Sequence, residues 1–128
     1  MMRNVEATFS ISSTYLCNLL QKTFVILITH TLILDNNKFE GSIPSAIGLV
    51  NEMEVLRLDW NSFSGSVPSN ISNLTEVTKM LLSNNQFTGS MPDLTGMNQL
   101  SYLDMSNNSF DTSDVPSWFT TLPSLITL

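Results

Sequence analysis

The sequence predicts a solenoid of the α/β class, an arc with a right-handed coil, a concave parallel β-sheet and convex loops with 3₁₀ or short helical turns. Two repeated patterns support this prediction. The pair Asn-x-Phe occurs at Asn37/Phe39, Asn61/Phe63, Asn85/Phe87 and Asn108/Phe110. An apolar residue followed by proline recurs every 24 residues, at Pro44, Pro68, Pro92 and Pro116. Such periodicity indicates stacked coils, each of which buries its apolar side only against the next.

The period divides the chain into a non-repeat segment at 1–28 and repeats at 29–128. The repeats are 29–52, 53–76, 77–99 and 100–124, with a partial unit at 125–128. Two alternatives are open for residues 1–28, a helix over Leu32 and Leu34 or a loose segment. The third unit is one residue short after Pro92, and the fourth is one residue long before Pro116.

Each unit opens with a short apolar alternation that predicts one strand per coil. Alternation directs every second residue inward. The inward pairs are Leu32/Leu34, Leu56/Leu58, Met80/Leu82 and Leu103/Met105. The outward positions form a concave face, and extended concave faces are the binding surfaces of repeat proteins. The candidate ligand-binding residues there are Arg57, Asp59, Trp60, Lys79, Tyr102 and Asp104. Trp60, Arg57 and Tyr102 are of the types enriched at binding hot spots.

The asparagine after each strand predicts a structural ladder. An inward amide can donate to and accept from the backbone of adjacent coils, where the turning chain leaves groups unpaired. The expected ladder is Asn37, Asn61, Asn85 and Asn108, and the expected aromatic spine behind it is Phe39, Phe63, Phe87 and Phe110. Proline then begins the convex segment. The expected convex core residues are Ile47, Val50, Ile71, Leu74, Leu94, Met97, Phe119 and Leu122, which leaves Trp118 facing outward or packing on the loop.

Three N-glycosylation sequons occur, beginning at Asn70, Asn73 and Asn107. They predict surface glycans only for a secreted chain. Asn70 and Asn73 belong to the convex turn, where they look accessible. Asn107 belongs to the concave side, where a glycan would block binding.

Composition and motifs exclude several functions. The net charge is −6 and no basic face is present, so nucleic-acid binding is not expected. The single Cys17 and the single His30 form no zinc or catalytic constellation, and neither a metal nor a cofactor is expected. No apolar run reaches the about 20 residues that a membrane-spanning helix needs. Residues 1–28 also fit a signal peptide poorly, because Glu6 and Asn18 interrupt the required pattern.

The motif NxFxGxIP resembles that of plant-specific leucine-rich repeats. The runs Ile43–Asp59 and Met91–Leu125, and SDVPSWF at 113–119 in particular, resemble one subfamily of plant receptor-like kinases. That subfamily includes a receptor that senses extracellular hydrogen peroxide. The resemblance implies a parent glycoprotein at the extracellular face of the plasma membrane with a cytoplasmic serine/threonine kinase. The chain itself has no glycine-rich phosphate loop, HRD or DFG motif, and lacks the family's cysteine pairs.

The leading hypothesis is a non-catalytic recognition module from the ectodomain of such a signalling receptor. Its expected partner is a peptide, a cell-wall fragment or a partner ectodomain. Two alternatives stay open: a soluble cell-wall enzyme inhibitor built on the same repeat, or a truncated gene product without an independent role. An enzyme is not expected.

Overall fold

A computed structural model describes residues 4–6, 30–111 and 115–124 of the chain. One strand and one convex segment form each coil, and the strands of successive coils pair in parallel. The main sheet has the order β1-β2-β4-β6-β8 and the lateral sheet has the order β3-β5-β7. The strands are β1 (Asn4–Glu6), β2 (Thr31–Ile33), β3 (Glu40–Gly41), β4 (Val55–Arg57), β5 (Ser62–Gly65), β6 (Lys79–Leu81), β7 (Gln86–Phe87) and β8 (Tyr102–Asp104). The parallel sheet and the repeat register predicted from the sequence are confirmed.

Strand β1 extends the main sheet by one strand at its N-terminal edge. Its residues pair in parallel with β2, with Asn4 opposite Thr31 and Val5 opposite Leu32. For residues 4–6 the structure therefore has a strand, where the sequence suggested a helix or a loose segment. The sequence did not predict this strand, because three residues are too few to show the repeat motif. The offset from Asn4 to its partner Thr31 is also 27 residues, in place of the repeat period of 24. The other residues of 1–28, the loop at 112–114 and the partial unit at 125–128 lie outside the described residues.

The asparagines join neighbouring coils through their backbone. Asn61 Nδ2 donates to Leu34 O of the preceding coil at 2.9 Å and to Leu58 O of its own at 3.0 Å. Asn61 Oδ1 accepts from Phe39 N at 3.1 Å. Asn85 and Asn108 repeat these contacts one and two coils further on. One amide thus satisfies backbone groups of two coils that the turn would otherwise leave unpaired.

The four phenylalanine rings stack in a second column. Consecutive ring centroids lie 5.7, 6.1 and 6.2 Å apart, with interplanar angles of 6°, 5° and 15°. Phe39, Phe63 and Phe87 are fully buried, while Phe110 at the end of the column is partly exposed. The inward residues of the main strands complete a continuous core between this column and the convex side.

Within residues 30–111 and 115–124, the 3₁₀ helices of the convex side are η1 (Ser45–Leu49), η2 (Ser69–Asn73) and η3 (Ser117–Thr120). The third unit has turns instead, because its segment after Pro92 is one residue shorter. Asp93 closes that segment: its Oδ1 accepts from Thr95 N at 2.9 Å and from Thr95 Oγ1 at 2.6 Å. These bonds lower the pKa of Asp93. No helix in the described ranges is long and apolar enough to cross a membrane.

The assignment of Phe119 to the core, with Trp118 facing outward or packing on the loop, was wrong. Trp118 is 4% exposed and belongs to the core, whereas Phe119 is only partly buried against it. The two rings meet edge to face at 4.3 Å. The exchange is local, because Leu122, six residues after Pro116, is buried like Val50 and Leu74, which lie six residues after their own prolines.

We expect Asn61→Ala to lower the free energy of unfolding by about 2–4 kcal/mol, because several buried backbone groups of two coils lose their partner and each costs about 1–3 kcal/mol. Chemical denaturation measures the change. Ser62→Ala, at the exposed neighbouring position, should stay within about 0.5 kcal/mol of wild type. Equal stability of the two variants would show that the ladder does not hold the coils together.

Candidate recognition surface

The outward residues of β2, β4, β6 and β8 lie side by side on what we call the concave face. Parallel in-register pairing places Val55 beside Lys79 and Arg57 beside Leu81, so each coil contributes one pair of side chains. Lys79 and Tyr102 are exposed, and the other members are partly buried. The members are Thr31, Ile33, Val55, Arg57, Lys79, Leu81, Tyr102 and Asp104.

Arg57 is held by two carboxylates from different coils. Its Nη2 lies 3.0 Å from Asp59 Oδ2 and 3.3 Å from Asp35 Oδ2, and its Nε donates to Asp59 Oδ1 at 3.3 Å. The hydrogen bond to Asp59 and the charges of both carboxylates raise the pKa of Arg57 against the opposing effect of burial. Arg57 is therefore already committed to two anions of its own chain.

Asp59, a predicted ligand-binding residue, is only 3% exposed. The guanidinium of Arg57 covers its carboxylate. A ligand on the concave face would meet Arg57 before it met Asp59. The sequence could not reveal the burial of Asp59. Alternation places this residue outward, but it does not show that the long side chain of Arg57 folds over the carboxylate.

Lys79 and Asp104 present their charges differently. Lys79 is exposed and lies within 4.0 Å of no carboxylate among the described residues. Asp104 Oδ1 accepts from Ser106 Oγ at 2.6 Å and from Ser106 N at 3.0 Å. Burial raises the pKa of Asp104, but the hydrogen bonds from Ser106 and Ser83 together outweigh it and leave the pKa below its ordinary value. Lys79 is thus the readily available cation of this face, and Asp104 is a fixed anion.

Trp60 stands at a backbone position that disfavours it. The residue directly before each ladder asparagine has a left-handed backbone, with φ of 55° at Asn36, 56° at Trp60, 56° at Asn84 and 54° at Asn107. Asparagine adopts this conformation readily, whereas a bulky aromatic residue there is an outlier. Trp60 is nevertheless 57% exposed, so burial of its side chain offsets little of the cost of this backbone conformation. The sequence showed that tryptophan breaks the repeat here, but not that its backbone is strained.

A cavity of about 580 Å³ adjoins Tyr102 at the end of the last described coil. The sequence did not identify it, because its walls combine concave positions with residues from the lateral and convex sides. It is open on one side, and its lining mixes apolar side chains with one carboxylate. The lining residues are Met91, Tyr102, Asp104, Met105, Ser106 and Phe119.

His30 bridges two carboxylates at the start of the strands. Its Nδ1 lies 3.1 Å from Glu54 Oε1 and its Nε2 lies 3.6 Å from Glu52 Oε2. The structure thus brings His30, Glu52 and Glu54 together across two coils, a grouping that the linear sequence did not reveal.

The three sequon asparagines differ in their surroundings. Asn70 is partly buried, and its Nδ2 donates to Ser45 O at 2.6 Å. Asn73 is exposed at the end of η2. Asn107 is exposed beside the concave face, and its Nδ2 donates to Asn84 Oδ1 at 2.6 Å.

Stacked coils with an inward asparagine ladder and a concave parallel sheet define a leucine-rich-repeat solenoid. The Leucine Rich Repeat family profile matches residues 29–49, 52–74 and 99–122, and the chain belongs to this family. The matched relatives are similar through their repeat-containing ectodomains, and the chain contains no kinase domain.

A probable leucine-rich repeat receptor-like protein kinase of Arabidopsis thaliana is 66% identical over 97 residues, which cover 76% of this chain and 10% of that protein. The ectodomain of the Arabidopsis membrane receptor kinase GASSHO1/SCHENGEN3, in complex with Casparian strip integrity factor 2, is 26% identical with a TM-score of 0.79. That match covers 94% of this chain and 13% of that one. The Arabidopsis receptor kinase HAESA, in complex with the peptide hormone IDA and the co-receptor SERK1, is 30% identical with a TM-score of 0.74. That match covers 91% of this chain and 18% of the HAESA chain.

We expect Arg57→Ala to lower the free energy of unfolding by about 1–2 kcal/mol, because the buried carboxylate of Asp59 loses its donor. The partial exposure of Arg57 keeps the expected loss below that of a fully buried pair. Lys79→Ala on the adjacent strand is the matched control and should change stability by no more than about 0.5 kcal/mol. Urea denaturation at neutral pH measures both, and an unchanged Arg57→Ala variant would contradict the structural role.

Proposed function

We propose that this chain is a non-catalytic recognition module from the extracellular region of a plant receptor-like kinase. Its similarity to a receptor-like protein kinase and to plant receptor ectodomains supports the class. The HAESA complex, which contains a peptide hormone and a co-receptor, supports a peptide or a partner ectodomain as the binding partner. The comparisons lend no support to a cell-wall fragment. The proposed location is the extracellular face of the plasma membrane.

Trp60 is the observation that most strongly supports binding on the concave face. Its three equivalents in the other coils are asparagine, which suits the left-handed backbone. A tryptophan there costs on the order of 1 kcal/mol in backbone strain. Its side chain remains mostly exposed, so packing within the chain does not explain its presence. A large aromatic surface that is retained at a cost and left uncovered is well suited to anchor a partner.

The residues around Trp60 suit a partner that lies across the strands. Such a partner would meet the unpaired charge of Lys79, then Tyr102 and the cavity beside it. Tyrosine and tryptophan bury large area and lose little side-chain entropy on binding. Arg57 contributes less as a direct anchor, because Asp35 and Asp59 already occupy its guanidinium. We therefore assign the anchoring role first to Trp60 and Tyr102.

The test is Trp60→Asn, which installs the residue that the other coils have at this position, in unglycosylated protein made in bacteria, because the change also creates a sequon with Asn61 and Ser62. We expect affinity for the partner to fall roughly 30-fold or more, a loss of about 2 kcal/mol. The free energy of unfolding should stay level or rise by up to about 1 kcal/mol, because the strained backbone is relieved. The probes are a panel of synthetic plant peptide hormones that includes IDA, and the SERK1 ectodomain, with binding followed by biolayer interferometry.

Leu49→Asn provides the control, since Leu49 is 64% exposed on the convex side. It should leave affinity unchanged. Equal loss of affinity in both variants, or none in Trp60→Asn, would remove the concave face as the binding surface. Loss of stability in Trp60→Asn would instead mean that the indole serves the fold.

A further inference from the structure

We infer that in the folded, secreted protein Asn73 carries the N-linked glycan of the convex face, and that Asn70, three residues earlier, is unmodified there because its amide joins two coils. The two sequons follow one another directly, Asn70-Ile71-Ser72 and then Asn73-Leu74-Thr75. Sequence alone treats both as accessible surface sites. This inference rests on the extracellular location proposed above, but not on any ligand.

The Asn70 side chain lies between η1 of one coil and η2 of the next. Its Nδ2 donates to Ser45 O at 2.6 Å. A methyl group added to Gly48 would lie 2.6 Å from the same Nδ2 and 2.7 Å from Asn70 Cγ, so only a glycine leaves room for this amide. Its Oδ1 is buried. The two helices pack against each other through this contact, and a sugar on Nδ2 would need the space that Gly48 occupies.

Asn73 has the opposite surroundings. It is the last residue of η2 and is exposed. Its backbone carbonyl accepts from Thr75 N at 2.9 Å, and its side chain makes no hydrogen bond within the described part of the chain. Thr75, the third residue of the sequon, is exposed as well. A glycan here would project from the convex side, away from Tyr102 on the concave strands and from Trp60 just beyond the end of β4.

The chemistry is the ordinary transfer from a lipid-linked oligosaccharide pyrophosphate. The amide nitrogen forms a bond to the anomeric carbon of the first sugar and loses one proton, and the bond from that carbon to the lipid pyrophosphate breaks. Transfer takes place on the unfolded chain, so the fold selects among the modified chains afterwards. A chain modified at Asn70 cannot seat η2 against Gly48 and is not secreted in folded form, whereas a chain modified at Asn73 folds without hindrance and is secreted.

The experiment uses the full 128-residue chain secreted from plant cells behind an added signal peptide. Trypsin cleaves after Arg57 and Lys79, so one peptide holds both sites and excludes Asn107. Enzymatic deglycosylation in heavy-oxygen water marks the modified residue for mass spectrometry. We expect the mark at Asn73, both in the wild type and in Ser72→Ala, which removes only the Asn70 sequon. A mark at Asn70, at both asparagines or at neither overturns the inference.

The structural role of Asn70 is measured separately on unglycosylated protein made in bacteria. Asn70→Gln should lower Tm by roughly 4–8 °C, because the longer amide cannot keep its bond to Ser45. Asn73→Gln should leave Tm within about 1 °C of wild type, as expected for an exposed surface substitution. Equal Tm values for the two variants overturn the inference. Neither measurement involves ligand binding, so a failure here is distinguishable from a failure of the proposed function.

Discussion

The asparagine ladder is the constraint on which the rest of the structure depends. The amides of Asn61, Asn85 and Asn108 each donate to carbonyls of two coils and accept from one backbone nitrogen, which fixes both the height and the rotation of one coil on the next. The phenylalanine rings then stack with their centroids 5.7, 6.1 and 6.2 Å apart, and the inward strand residues of neighbouring coils meet in register. A hydrophobic core alone would not select this register, because apolar contact is non-directional. The hydrogen bonds of the amides supply the direction.

A ladder of this kind divides the surface into positions that the repeat controls and positions that it leaves open. Inward strand residues and ladder asparagines are determined by the coil. The outward strand residues are constrained only by alternation, so they can differ from unit to unit without cost to the core. The left-handed position after the strand is intermediate: the turn prescribes its backbone but not its side chain. Trp60 replaces the asparagine that the other coils have at this position. It is therefore stronger evidence for a binding role than the variable outward residues of the strands.

The sequence predicted the repeat, the strand register and the two columns because these follow from a strict period. It failed where the period fails. The missing residue after Pro92 replaced a 3₁₀ helix with a turn closed by Asp93, and in unit four, which departs from the common pattern, Trp118 is buried in place of Phe119. It also failed where one side chain covers another. The burial of Asp59 beneath Arg57 depends on side-chain length and charge in three dimensions, which no linear pattern records.

The pairing of Arg57 changes what the concave face can recognise. A guanidinium shared by two carboxylates offers a ligand little free positive charge, whereas Asp104 keeps its negative charge although its Oδ1 already accepts two hydrogen bonds from Ser106. Among the described residues of the face, Lys79 is the available cation, and the other charged side chains are engaged within the chain. Electrostatic complementarity chiefly accelerates association and rejects wrong partners, whereas buried aromatic anchors supply affinity. A surface built in this way should select its partner by the fit of apolar side chains against Trp60 and Tyr102, with charge in a secondary role.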